Sequence, residues 1–181
     1  AMAGRQGGMA PEGRANPNQL MINERTAEHL GNLRSRMVAT RASEFDGARL
    51  VTGLQLTHSG RWSRPFGDPE PRVTFRQPQL DERLPVSDSS VLSDDELDEL
   101  VDAYVRAGVL AADAGFDFVD IKHCHGYLLH ELLSARTRPG RYGGSFEGRT
   151  RVLRSVVGQL KAQRPNLTIA VRLSAVDPGP Y

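Results

Sequence analysis

Apolar residues fall into two patterns along this chain, short dense runs of strand type and longer stretches at helical spacing. From about Asn18 to Ser43, Leu20, Ile22, Ala27, Leu30, Leu33, Met37 and Val38 recur at mostly helical intervals with no proline inside. That spacing predicts one long helix, with a break near Gly31. Ala48 to Leu56 is an apolar strand that runs into the polar group Thr57-His58-Ser59-Gly60-Arg61. The next stretch, Trp62 to Val91, carries Pro65, Pro69, Pro71, Pro78 and Pro85 and holds no period beyond a short strand candidate at Arg72 to Phe75. Long excursions of this kind usually serve a binding site.

A helix opens at Ser93, whose hydroxyl can cap while Glu96 reaches back. Leu97, Leu100, Val101, Tyr104, Val105, Val109 and Ala112 form its apolar stripe, and Gly115 stands where a helix end favours glycine. A strand at Phe116 to Ile121 follows, then a short helix at about Gly126 to Ser134 and a Gly-rich loop. A helix from about Phe146 to Gln163 shows Val152, Leu153, Val156, Val157 and Leu160 on one face, and a last strand, Leu167 to Leu173, carries Arg172 near its exit. Ahead of all these, Ala1 to Pro17 is rich in glycine and proline and reads as loop.

Strands alternating with long helices argue for an α/β fold with a parallel sheet, and both barrels and doubly wound sheets satisfy that order. Polar groups gather at the exits of successive strands, and no Gly-x-Gly-x-x-Gly turn is present. That favours a (β/α)8 TIM barrel. A whole barrel needs eight strands, and this chain supplies three good ones, so a partial barrel is expected.

Composition narrows the function classes. At 181 residues the chain reads as a single domain. A net charge of +1 with 25% charged residues gives no field that would draw nucleic acid or an anionic membrane. Cys124 is the single cysteine, which excludes an internal disulfide framework and suggests a reducing, cytoplasmic setting. No apolar run approaches the roughly 20 residues that span a bilayer.

The candidate chemistry sits in Gly115 to Leu129, where an apolar strand delivers Lys122, His123, Cys124, His125 and Tyr127 at its end. Alternation along an extended end points His123 away from Lys122, so His123 and Cys124 are expected to pack. A zinc site from His58, His123, Cys124 and His125, serving a barrel hydrolase, is the weaker reading, because adjacent residues rarely converge on one ion.

Leu54-Gln55-Leu56-Thr57-His58-Ser59-Gly60-Arg61, the block Gly115 to Leu133, Tyr142-Gly143-Gly144-Ser145-Phe146-Glu147-Gly148-Arg149 and Val171-Arg172-Leu173-Ser174 resemble the Old Yellow Enzyme group of NADH:flavin oxidoreductases and ene-reductases. Pro11-Glu12-Gly13-Arg14 is similar to the loop after the second barrel strand of that family. The resemblance runs from there to the exit of the fifth strand, so a fragment without the family's flavin phosphate site is expected. It implies FMN as cofactor, NAD(P)H as hydride source and an activated alkene or similar small molecule as acceptor. By the same resemblance Gln55 bonds the pyrimidine edge of the flavin, and Arg172 stands near the flavin N1 and C2 carbonyl. Tyr127 is the general acid, and His125 is one of two donors to the substrate oxygen. Lys122 stands where the first donor is commonly histidine, a departure that leaves the substrate class open and admits an amine dehydrogenase. Gly148 replaces the usual asparagine of its motif, and Arg61 is expected to brace its loop through salt bridges. A non-catalytic, truncated barrel that associates through its open edges, with itself or another chain, is the remaining alternative.

Overall fold

The computed structural model describes residues 11–45, 47 and 49–175. The loop expected over Ala1 to Ala10 and the strand start at Ala48 lie outside them. A short turn at Pro11–Gly13 packs against the exit of the first strand. There the Ser59 N–H donates to the Gly13 carbonyl at 2.8 Å and the Arg64 N–H to the Arg14 carbonyl at 2.7 Å.

The first helix, α1, spans Ala27–Glu44, nine residues later than hydrophobic spacing suggests. The cause is local. The Asn23 side-chain oxygen accepts from the Arg25 N–H at 3.0 Å and the Thr26 N–H at 3.2 Å, which folds this stretch into turns instead. Strand β1 is Gly53–Leu56. Within the proline-rich excursion, α2 is one turn at Pro78–Asp81, and the strand expected at Arg72 to Phe75 shrinks to a single bridge between Val73 and Val91.

Helix α3, Asp94–Asp113, begins with the expected capping box. The Glu96 N–H donates to Ser93 Oγ at 3.1 Å, and the Ser93 N–H donates to the Glu96 carboxylate at 2.7 Å. It ends in a Schellman motif, with Gly115 left-handed at φ 87° and the Phe116 N–H bonded back to the Ala111 carbonyl at 3.0 Å. Strand β2 is Phe118–His123, shifted two residues past the sequence expectation, so Lys122 and His123 are strand residues. Helix α4 is Leu128–Leu133.

The helix expected over Phe146 to Gln163 is two, α5 at Phe146–Arg149 and α6 at Arg151–Gln163. They part at Thr150, whose hydroxyl bonds back to the Phe146 carbonyl at 2.8 Å. Gly148 is required by proximity, because a Cβ there would lie 2.2 Å from the Gly143 carbonyl oxygen. Its lack of a side chain therefore lets α5 sit against the Gly-rich loop. Strand β3, Thr168–Leu173, completes a three-stranded sheet in the order β1-β2-β3, parallel throughout.

Helices α3 and α6 cover one sheet face, and Leu56, Val119, Ile121, Leu97, Tyr104, Val156 and Leu160 form the core between them. Strands alternating with helices in this way form part of a (β/α) barrel. The register pairs Gly53 with Phe118, Gln55 with Asp120 and Lys122 with Arg172. These residues share the second face, opposite the helices.

Arg61, 1% exposed, ties the excursion to α4 as expected of a bracing residue. Its guanidinium bonds Glu131 at 3.1 Å and pairs with Asp81, and Glu131 in turn accepts from the Thr74 N–H at 2.8 Å. Burial pushes the Glu131 carboxyl upward, against the pull of Arg61 and Thr74. Removing the cation leaves the buried Glu131 carboxylate without a counter-charge, while Asp81 keeps Arg76 at 2.6 Å. Arg61→Ala should therefore lower unfolding free energy by about 3–5 kcal/mol in a denaturant titration.

His123 faces the helices and is 2% exposed. Burial, with His130 nearby adding to it, pushes its pKa down to about 4. A histidine held neutral when folded contributes stability that is complete above its unfolded pKa of about 6.5 and is lost as pH falls toward the folded value. Unfolding midpoints should drop between about pH 6.5 and about 4, on the order of a few kcal/mol in all, and His123→Met should flatten that slope.

Candidate active site at the strand exits

Strand β2 places Lys122 on the helix-free face, one residue before its end. The chain then reverses through Cys124–Tyr127, where the Tyr127 N–H bonds the Cys124 carbonyl at 3.3 Å. His125 at φ 62° and Gly126 at φ 65° are both left-handed, the first at a steric cost that glycine escapes. The Gly126 N–H donates to His130 Nδ1 at 2.8 Å, which anchors the turn to α4. Tyr127 emerges as the N-cap residue of α4. Its ring lies under the Lys122 ammonium, with Nζ 3.6 Å from the ring centroid, a cation–π contact. Burial lowers the Lys122 pKa and the neighbouring Arg172 lowers it further, while Cys124 and Asp120 act the other way.

Gln55 donates from Nε2 to Asp120 at 2.6 Å, across the register pair that joins β1 and β2. The second carboxylate oxygen of Asp120 is buried without a partner. Arg172, on β3, is exposed and stands beside Lys122. The face thus carries an apolar layer at Phe118, a polar layer at Gln55 and Asp120, and a cationic layer at Lys122 and Arg172.

Of the residues expected to act, Gln55, Lys122 and Arg172 share this face, Tyr127 joins Lys122 directly, and His125 sits exposed in the turn with its N–H 3.3 Å from Ser174 Oγ. Asp120 was missed. Strand parity could have found it, since it lies two residues before Lys122 and must share its face. His58 goes to packing, buried, with Nδ1 accepting from the Gly60 N–H at 3.0 Å. Cys124 is buried as well, and Trp62 is 40% exposed. Among the described residues no three of His, Cys, Asp or Glu are grouped to hold a metal ion. A cavity of about 590 Å³ opens at the other end of the strands, around Arg49, Asp117 and Arg164, away from this cluster.

The donor set suits a flavin. A side-chain amide offers both donor and acceptor to a pyrimidine edge, and a guanidinium at the strand exit offers a fixed cation where a reduced ring gathers negative charge. Gln55 and Arg172 have that chemistry, on one face and at neighbouring levels.

Comparison with known proteins follows the same line. Residues 6–179 match the NADH:flavin oxidoreductase / NADH oxidase family. The NADPH dehydrogenase of Bacillus subtilis (strain 168) is 36% identical over 129 residues, covering 69% of this chain and 36% of that protein. The NADPH dehydrogenase of Clostridium acetobutylicum is 33% identical over 175 residues, covering 94% of this chain and 48% of that protein. Morphinone reductase superposes with a TM-score of 0.67 over 90% of this chain and 46% of its own, at 24% identity, which speaks for the fold. The chain therefore spans less than half of either dehydrogenase. These matches bear out the resemblance to the Old Yellow Enzyme group, and the chain belongs to the NADH:flavin oxidoreductase / NADH oxidase family.

Proposed function

We propose that this chain forms the central strands of an FMN-dependent oxidoreductase that takes hydride from NAD(P)H and passes it to an activated alkene or similar small molecule. The observation that carries this reading is the layered face, where Gln55 is held by Asp120 and Lys122 by Tyr127 at the exits of parallel strands. Bound FMN supplies the two-electron chemistry, and the protein supplies position and polarity.

Gln55 is the contact to the pyrimidine edge, and Asp120 fixes which end of its amide points into the site. Arg172 offers its guanidinium to the ring where charge accumulates on reduction. His125 donates to the oxygen of the acceptor, drawing electron density from the double bond. Tyr127 then gives its phenolic proton to one alkene carbon while hydride arrives at the other. The helix N-cap position supports that role, because it fixes the tyrosine backbone at the mouth of the strand while the ring stays clear of the core. Strands β1 and β3 each leave one edge unpaired among the described residues, with Leu173 62% exposed, and in the proposed enzyme further strands pair there.

The test uses the full gene product. Tyr127→Phe should keep the flavin absorbance and the rate of flavin reduction by NAD(P)H while alkene turnover falls by about 10²–10⁴. Unchanged alkene turnover in that variant would remove Tyr127 from its role, and purified protein with no flavin would sink the whole assignment.

A further inference from the structure

The reversal Cys124–Tyr127 sets the two groups proposed to meet the acceptor, His125 and Tyr127, on either side of Gly126. The Tyr127 N–H reaches the Cys124 carbonyl at 3.3 Å and the His125 N–H reaches Ser174 Oγ at 3.3 Å, both long for hydrogen bonds. The Gly126 N–H reaches His130 Nδ1 at 2.8 Å, the shortest of the three. That N–H belongs to the peptide plane between His125 and Gly126, so the bond fixes ψ of His125 and φ of Gly126 together. His125 at φ 62° is strained for a residue with a side chain, and strain of this kind persists where rigid surroundings hold it.

His130 is such a rigid anchor. It lies on α4 and is 4% exposed. The next residue, Glu131, accepts from Arg61 Nε at 3.1 Å, from the Thr74 N–H at 2.8 Å and from Thr74 Oγ1 at 2.9 Å. A rotation of α4 would pull Glu131 off these buried partners, so the imidazole is held in place from behind. An imidazole that accepts at Nδ1 is neutral and carries its proton at Nε2, which settles the tautomer. We propose that His130 is a positioning residue for the reaction, its Nδ1 holding the His125–Gly126 peptide so that the His125 donor and the Tyr127 acid meet one acceptor together. His130 touches neither flavin nor acceptor and acts through Gly126. The inference rests on the proposed function for the roles of His125 and Tyr127, and on the hydrogen bond for the hold on the turn. A buried histidine that only packs would fill space equally well without an acceptor at this atom.

Three substitutions in the full gene product separate holding from packing. Asparagine carries an amide oxygen as many bonds from Cα as histidine Nδ1, glutamine sets its oxygen one bond farther out, and leucine fills space with no acceptor. His130→Leu should speed deuterium exchange at the Gly126 amide, followed by NMR, by about fivefold or more, as the loss of one net hydrogen bond allows. It should also lower alkene turnover by about 10–10²-fold, because donor and acid no longer stand together. Flavin content should hold, since Gln55 and Arg172 lie on other strands. His130→Asn should restore most of both readouts, and His130→Gln should behave like His130→Leu. If the leucine variant does not fold, the asparagine and glutamine pair carries the same comparison. A Gly126 amide or an alkene turnover that His130→Leu leaves unchanged would overturn the inference, as would an asparagine variant no better than the glutamine one. Absence of flavin from the purified protein would overturn the proposed reaction and the catalytic half of this inference with it, whereas Gly126 exchange would still decide whether His130 holds the turn.

Discussion

The two-residue alternation of β2 is the constraint on which the site depends. Val119, Ile121 and His123 turn toward α3 and α6 and are buried, so Phe118, Asp120 and Lys122 must face the other way. A slip of one residue would drive an aspartate and a lysine among Leu97, Tyr104 and Leu160, at a desolvation cost no partner there could offset. Gly53 adds a lock between the strands. The Phe118 ring occupies the space its side chain would need, with a built Cβ only 2.1 Å from the ring, so this register is the one that fits. Burial on one face thereby decides which chemistry appears on the other.

The second support lies behind the site. Gly60, left-handed at φ 61°, lets the exit of β1 approach the start of α4 so closely that a Cβ would lie 2.7 Å from the Leu128 nitrogen. Across that approach the Leu128 N–H donates to the His58 carbonyl at 3.2 Å. Leu128 directly follows Tyr127, so the position of the proposed acid is fixed by backbone contact with the neighbouring strand exit. Arg61, one residue beyond Gly60, then secures α4 through Glu131. A buried ion pair is weak support for net stability, but it restricts how these two segments can lie. Here that restriction reaches the tyrosine through a single peptide.

Much of this was legible in the sequence, and the exceptions share a cause. The capping box at Ser93 and the stripe of α3 follow from local pattern and were found, and the bracing expected of Arg61 is met by partners 20 and 70 residues away. Helix α1 starts late because Asn23 offers the backbone a competing set of hydrogen bonds, which hydrophobic spacing does not register. The split at Thr150 is a side-chain hydroxyl effect of the same kind. The pairing of Gln55 with Asp120 joins residues 65 positions apart and needs the strand register, which no single strand reveals. The contact between Lys122 and Tyr127 is near in sequence yet equally hidden, because it requires the turn between them to be left-handed at two successive residues.

That turn also bears on His125. A non-glycine residue at φ 62° carries strain of order 1–3 kcal/mol, which persists where surrounding structure or function holds it. Packing does not explain the choice, since the side chain is exposed while His58, His123 and His130 are buried. The backbone explains the conformation, because a strand must become a helix within this turn for Tyr127 to reach its N-cap position. It does not explain the imidazole. An exposed imidazole two residues before the proposed acid stands where the donor role proposed for His125 needs it. The left-handed turn thereby sets His125 and Tyr127 at one strand exit, the placement on which the proposed donor and acid roles depend.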